Sequence, residues 1–373
     1  MNSNKYKLLA EKYLNKAGVE INGSRPWDLR VNNEAFFQRV LSQGSLGLGE
    51  SYMDGWWDCE KVDEFIFRLV RTQLQKNFGF NWTVLRAYLQ SKLFNLQTIS
   101  RSKQVAYRHY DLSNELYRHM LDDTMTYSCG YWKEARTLQE AQEAKLDLVC
   151  RKIGLKAGMR VLEIGCGFGS FMKFAAEKYG AKVTGITISK EQVKLGGQLC
   201  KGLDVEFKLM DYRQAQGKFD RVVSIAMFEA VGFKNFRVFM NKVHECLLDN
   251  GLFFLHTIGN RTTKFSPDPW LNKYIFPNGI LPSIRQIAEA SEDLFVLEDL
   301  HNFGADYDKT LMAWFKNFDT SWPKVEKDFD ERFYRMWKYY LLSCAALFRA
   351  RQVQLWQMVF SKRGVLGGYA SVR

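Results

Sequence analysis

At 373 residues the chain exceeds one typical core, so a large domain with a smaller companion is the expected organisation. A composition 46% hydrophobic and 25% charged, without low-complexity tracts or a recurring period, excludes disordered, collagen-like and repeat architectures. A formal charge of +12 points to an anionic partner, nucleic acid or an acidic lipid surface, without choosing between them.

The first residues, MNSNKYKLLAEKYLNKAG, contain no apolar core of a secretory leader, and no later apolar run approaches the roughly 18 residues needed to cross a bilayer. A cytoplasmic protein is expected. Residues 1–100 read as helical and irregular segments forming an N-terminal domain, with QTISRSKQ (97–104) as linker and 101–373 as the second domain. GSLGLGESYMDGWWDC (44–59) has dinucleotide-like glycine spacing but follows no strand, so it reads as a turn. Between Glu64 and Asp111 there is no acidic residue, while Arg68, Arg71, Lys76, Arg86, Lys92, Arg101, Lys103 and Arg108 alternate with large apolar side chains. That pattern suits a helix on an anionic membrane, and equally a helical domain with a basic solvent face. Seven scattered cysteines with no C-x-x-C pair predict neither a metal site nor a disulfide framework.

From residue 155 onward β-rich runs alternate with helical ones, the pattern of βαβ units on a mostly parallel sheet. Strands are predicted at 159–164, 182–188, 205–210, 221–226, 251–258, 294–300 and 353–361, with helices at 169–179, 190–201 and 235–248. An aromatic helical segment, 308–350, separates the last two strands. The predicted fold is α/β: a doubly wound seven-stranded sheet with a helical cover insertion, plus a smaller, mainly helical N-terminal domain. Ligands of such sheets bind beyond the carboxyl ends of the strands.

The first of these strands ends in VLEIGCGFGSF (161–171), spaced Glu163, Gly165, Gly167, Gly169. A dinucleotide fingerprint would read G-x-G-x-x-G, and Glu163 would repel its pyrophosphate. The tighter glycines and the acid suit the cationic end of S-adenosylmethionine, the signature of class I methyltransferases. The second strand ends without the acid a nicotinamide enzyme places there, carrying Thr187, Ser189 and Gln192 instead. The third is followed by Asp211 and Tyr212, suitably placed for an adenine.

HYDLSNELYRHMLDDTMTYSCGYW (109–132), VLEIGCGFG, VTGITIS, FEAVG, FLHTIG, DPWLNKYIFPNG and HNFGADYDKTLMAWF together resemble bacterial cyclopropane-fatty-acyl-phospholipid synthases, over about residues 5–360. The resemblance implies methylene transfer from S-adenosylmethionine to the cis double bond of an unsaturated phospholipid acyl chain, with bound bicarbonate as base. It implies an anion site at Cys129, Glu229, His256, the backbone of Ile258, and Tyr307. It implies donor contacts from Tyr127, Ser128, the 162–170 loop with Cys166 and Phe168, the 187–192 segment, Asp211 and Tyr212. Cys344 matches a cysteine proposed as catalytic in relatives. Phe168 stands where the family usually has tryptophan, and Ala230 where it has histidine. A homodimer, peripherally bound to the inner membrane, is expected.

The chemistry asks for such residues. An alkene is a weak nucleophile, so methyl transfer leaves positive charge on the acyl chain, which a dry, aromatic-lined site tolerates. A base inside an apolar pocket is expected as a small anion held by His256 and Tyr307, with Glu229 orienting His256. A methyl-branched product from the same cation is the alternative within the family. A nucleic-acid methyltransferase is the rival from another class, but the amine-directed N-P-P-Y position reads AMFEAVGF and no Pro-Cys dipeptide exists, so no nucleic-acid partner is expected. A non-catalytic membrane-binding protein on the same scaffold is the third reading.

Overall fold

The structure, a computed structural model, describes residues 3–72 and 114–373. The predicted boundary at residue 100, the linker and most of the acid-free stretch lie outside the described residues. The chain forms two compact units.

One unit holds the sheet: strands β3 (Arg160–Ile164), β4 (Lys182–Thr187), β5 (Val205–Leu209), β6 (Phe219–Ile225), β7 (Leu247–Asn260), β8 (Val296–Asn302) and β9 (Val353–Ser361), the short strands Arg30–Val31 (β1) and Trp57–Asp58 (β2) belonging to the other unit. The order is β5-β4-β3-β6-β7-β9-β8. β3 pairs in parallel with β4 and β6, as β4 does with β5 and β6 with β7, whereas β8 runs antiparallel to β9. All seven predicted strands are present. β7 is longer than predicted at both ends because polar Asp249, Asn250 and Asn260 hide its true extent. Strands buried on both faces read as nearly continuous apolar runs. Alternation then divides them: Leu162, Ile164, Phe253 and Leu255 face one layer with Phe239 and Ile287. Val161, Val183, Val223 and Phe254 face the other, with Leu146, Phe171 and Met172.

The second unit is discontinuous, combining the described residues up to 72 with Phe265–Pro277 and Asp308–Val353. It contains helices Ser3–Lys16, Ala35–Gln43, Ser45–Met53, Val62–Arg71, Pro269–Tyr274 and Glu331–Arg349, most of Ala305–Val325, and the antiparallel pair β1 (Arg30–Val31) and β2 (Trp57–Asp58). The helices expected as an insertion between β8 and β9 thus cluster with N-terminal residues. Aromatic rings make the core: Trp57 meets Phe65 at 5.3 Å and Tyr52 at 4.8 Å, and Trp270 meets Tyr339 at 4.8 Å. Arg349 joins the segments by donating Nη1 to Asp63 at 2.7 Å and Nε to Asp308 at 2.9 Å.

The glycine-rich stretch read as a turn is largely a helix, Ser45–Met53, a correction to the sequence reading. Its glycines serve close packing: a Cβ on Gly49 would stand 2.4 Å from the Trp270 ring. Helix propensity at Gly is poor, and the tertiary contact overrides it.

Candidate active site

β3 and β6 are neighbours at the sheet's centre, and the chain proceeds outward from them in opposite directions, through β4 to β5 and through β7. This reversal opens a crevice beyond their carboxyl ends. The loop after β3 is built for it. Gly165, Gly167 and Gly169 all have positive φ, at 80°, 53° and 86°. At Gly167 a Cβ would meet nothing within 4 Å, so the backbone faces open space there. Gly165 and Cys166 both donate N–H to Ile186 O, fixing the loop to β4, and helix Ser170–Tyr179 starts directly after Gly169.

Glu163 is 3% exposed, and its Oε2 has no hydrogen-bond partner among the described residues. Burial drives its carboxyl well above the usual range, opposed by Lys145. A buried carboxyl lacking a partner is what a cationic ligand end would satisfy, so this loop fits S-adenosylmethionine. Thr187 Oγ1 donates to Gln192 Oε1 at 2.6 Å and accepts from Ser189 N, while Ser189 Oγ caps the following helix through Gln192 N. Tyr127 and Phe168 both pack around Tyr117, at 5.3 and 6.2 Å. The Asp211 carboxylate is held by Arg213, which donates Nε to Oδ1 at 2.7 Å and Nη2 to Oδ2 at 2.8 Å. Tyr212 is a core ring against Phe239.

Phe303, a residue the sequence did not single out, packs against two segments that carry residues of the second group. Phe303 lies 6.1 Å from His256 and 5.2 Å from Tyr131, two residues after Cys129. Asp306 accepts Trp132 N at 2.8 Å, binding that segment to the turn of helix carrying Tyr307. Cys129, His256 and Tyr307 are all buried.

Two contacts correct the expected wiring. Glu229 does not orient His256: its Oε1 accepts the N–H of Ile258 at 2.6 Å. That N–H is therefore committed to a carboxylate and is not offered to an anion. His256 Nδ1 instead faces Nε2 of Gln357, in β9, at 3.4 Å. With Gln357 as donor, Nδ1 accepts and the ring proton sits on Nε2, which is buried and finds no partner among the described residues. Burial chiefly, with Lys145 and Lys152 adding, lowers the His256 pKa well below the ordinary value, so the ring is neutral. A buried N–H donor of this kind fits a small anion such as bicarbonate. Glu229 is partly exposed, but its Oε2 is buried and finds no partner among the described residues, and burial raises the carboxyl to about 7.

Cys344 lies on helix Glu331–Arg349 of the helical unit, its thiol raised to about 12 by burial and then by Asp268. The sequence also missed Gln142 and Lys145, both fully buried on helix Leu138–Lys152. A signal was present: Ala141, Lys145, Val149 and Lys152 recur at the spacing of that helix's core stripe. Among the described residues no group of three or more His, Cys, Asp or Glu could hold a metal, and no helix is long and apolar enough to cross a membrane.

Comparison with known proteins gives concordant matches. The family model described as mycolic acid cyclopropane synthetase matches residues 97–358. The cyclopropane-fatty-acyl-phospholipid synthase of Escherichia coli K12 is 52% identical over 365 residues, 98% of this chain and 95% of that one. The solved cyclopropane synthase MmaA2 from Mycobacterium tuberculosis aligns with a TM-score of 0.66 at 32% identity, covering 70% of this chain and 98% of that one. Mycolic acid cyclopropane synthase CmaA1, solved with SAH and CTAB, gives 0.65 at 33% identity with the same coverage.

Proposed function

Because the chain belongs to the mycolic acid cyclopropane synthetase family, we propose that it converts the cis double bond of an unsaturated phospholipid acyl chain into a cyclopropane ring. The observation that carries this reading is 52% identity over 98% of the chain to a cyclopropane-fatty-acyl-phospholipid synthase. S-adenosylmethionine supplies the methyl group when bound, and bicarbonate, when bound, supplies a base that needs no buried side-chain charge.

The chain's own residues bind, exclude water and place protons. The bare backbone at Gly167 admits the donor, and Glu163 answers its cationic end. Thr187, Ser189 and Gln192 hold the adjoining turn through their mutual hydrogen bonds. Phe303, beside His256, and Tyr131, beside Phe303, are aromatic faces suited to positive charge developing on an acyl chain. His256 Nε2–H, Cys129 and Tyr307 are the residues that would hold the anion. Gln357 sets the tautomer of His256, and Glu229 fixes the end of β7 through Ile258. The remaining parts of the reading are a peripheral site of action on an anionic inner membrane, a lipid-facing N-terminal domain and a homodimer. The charge of +12 supports the first.

The test is mass spectrometry of lipid products after incubation with S-adenosylmethionine and vesicles of monounsaturated phospholipid. A cyclopropane product gains one CH₂ and loses its double bond. A methyl-branched saturated chain, heavier by two hydrogens, would overturn the ring-forming reading. Activity unaffected by exhaustive removal of carbon dioxide and bicarbonate would overturn the anion assignment alone.

A further inference from the structure

Lys145 is fully buried, and nothing in the donor or anion assignments above uses it. Together with Gln142, three residues earlier on the same helix face, it grips one residue from two sides. Gln142 Nε2 donates to the carbonyl of Ser128 and Lys145 Nζ to its Oγ, both at 2.8 Å. Among the described residues no carboxylate comes within ion-pair distance of Lys145; the charges of Asp122 and Glu163 reach it only from farther off, and Asp122 is engaged by Thr124 and the N–H of Thr126. A buried ammonium without a counter-ion is costly, and such sites recur where a charge is put to use. Burial lowers its pKa to about 8, so it is still mostly cationic at neutral pH.

An ammonium has donors only, so Ser128 Oγ must accept from it, and the serine's own proton points elsewhere. That hydroxyl is a donor with a cation behind it, which favours an anionic acceptor. We propose that Lys145 is the positioning residue that sets Ser128 to donate to the carboxylate of S-adenosylmethionine. The inference rests on the reading that Tyr127 and Ser128 line the donor site. Of the donor's groups only the carboxylate is anionic; the amine and sulfonium would be repelled, and adenine and ribose are neutral. Glu163, with its orphaned oxygen, answers the positive end, so two buried groups of opposite sign match the two ends of one zwitterion.

Calorimetry on the full chain separates the contributions, using S-adenosylhomocysteine and its decarboxylated analogue as probes. Lys145→Met is expected to weaken S-adenosylhomocysteine about 10-fold or more while leaving the analogue within about twofold, since the removed contact is a charge-assisted hydrogen bond. Adding Ser128→Ala should cost little more, because the two residues act as one unit. Should Lys145→Met fail to fold by circular dichroism, Ser128→Ala must show the same selective loss by itself. Equal weakening of both probes, additive losses, or unchanged binding with loss only of bicarbonate-dependent turnover would overturn the assignment. Wild-type protein that binds neither probe would overturn the donor reading and this inference with it; wild-type binding without selectivity loss in the variants overturns the inference alone.

Discussion

Glu229→Gln probes the buried carboxyl through the pH dependence of stability. The Glu229 carboxyl stands at about 7 against an ordinary value near 4.5, chiefly because burial disfavours its charge, with the Ile258 N–H pulling the other way. At about 1.4 kcal/mol per pH unit, this favours the protonated folded state by about 3 kcal/mol. The folded protein binds this proton more tightly than the unfolded chain, so the contribution is complete below the unfolded value of about 4.5 and is lost as pH rises through about 7. The variant keeps an acceptor for Ile258 N–H and has no proton to lose. With an unfolding entropy of about 0.8 kcal/mol/K for a chain this long, 3 kcal/mol corresponds to about 4 °C. The melting temperature of the variant relative to wild type should therefore climb by about 3 °C between about pH 5 and pH 8, most of the transition falling in that window. A difference that does not change with pH, or one that moves against the variant, would refute the protonated buried carboxyl. In the same variant S-adenosylhomocysteine should still bind, because the Ile258 N–H keeps its acceptor and the end of β7 stays in place.

Gly167→Val should abolish S-adenosylhomocysteine binding in calorimetry, since its side chain enters the open space beside the loop, and cost about 1–2 kcal/mol of stability at a positive φ; unchanged affinity would remove the loop from the donor site. Gly49→Ala should destabilise the helical unit by about 1–3 kcal/mol through overpacking against Trp270, read by urea denaturation, and an unchanged midpoint would show the contact yields freely. Reversing Arg86, Lys92 and Arg101 to Glu should reduce binding to anionic vesicles in co-sedimentation without changing donor affinity, and raised salt should do the same to wild type; equal binding of neutral and anionic vesicles would leave the basic stretch as a solvated face.

The sheet was legible because each parallel strand carries its own apolar run, and the donor loop because its glycines and acid are contiguous. What stayed hidden depends on residues far apart in the chain. Nothing near GSLGLGES announces that Trp270 will lie against Gly49. Nothing near FLHTIG announces Gln357, and the adjacency of Glu229 to the Ile258 N–H rather than to His256 is decided by how the turn after β6 meets β7. The spacing on its helix marks Lys145 for burial, but the acceptor that makes that burial tolerable sits 17 residues earlier, across a loop. Cys344 matches a family cysteine, and its place on helix Glu331–Arg349 of the helical unit could be read only from the fold.

The discontinuity of that unit has a consequence for biosynthesis. Helix Val62–Arg71 is among the early segments to leave the ribosome, yet Arg349, which pairs with its Asp63, emerges roughly 280 residues later. At about 5–20 residues per second the nascent chain waits about 15–55 s for that partner. During this interval Val62, Phe65 and Ile66, all buried in the finished protein, lack the late helix that completes their unit. Strands β3 to β7, which follow one another closely in the chain, have the opportunity to pair during it, whereas β9, which stands between β7 and β8, emerges only after Arg349. Translation order thus leaves the amino-terminal part of the molecule waiting longest for its partner, and makes its early apolar side chains the natural clients of a chaperone.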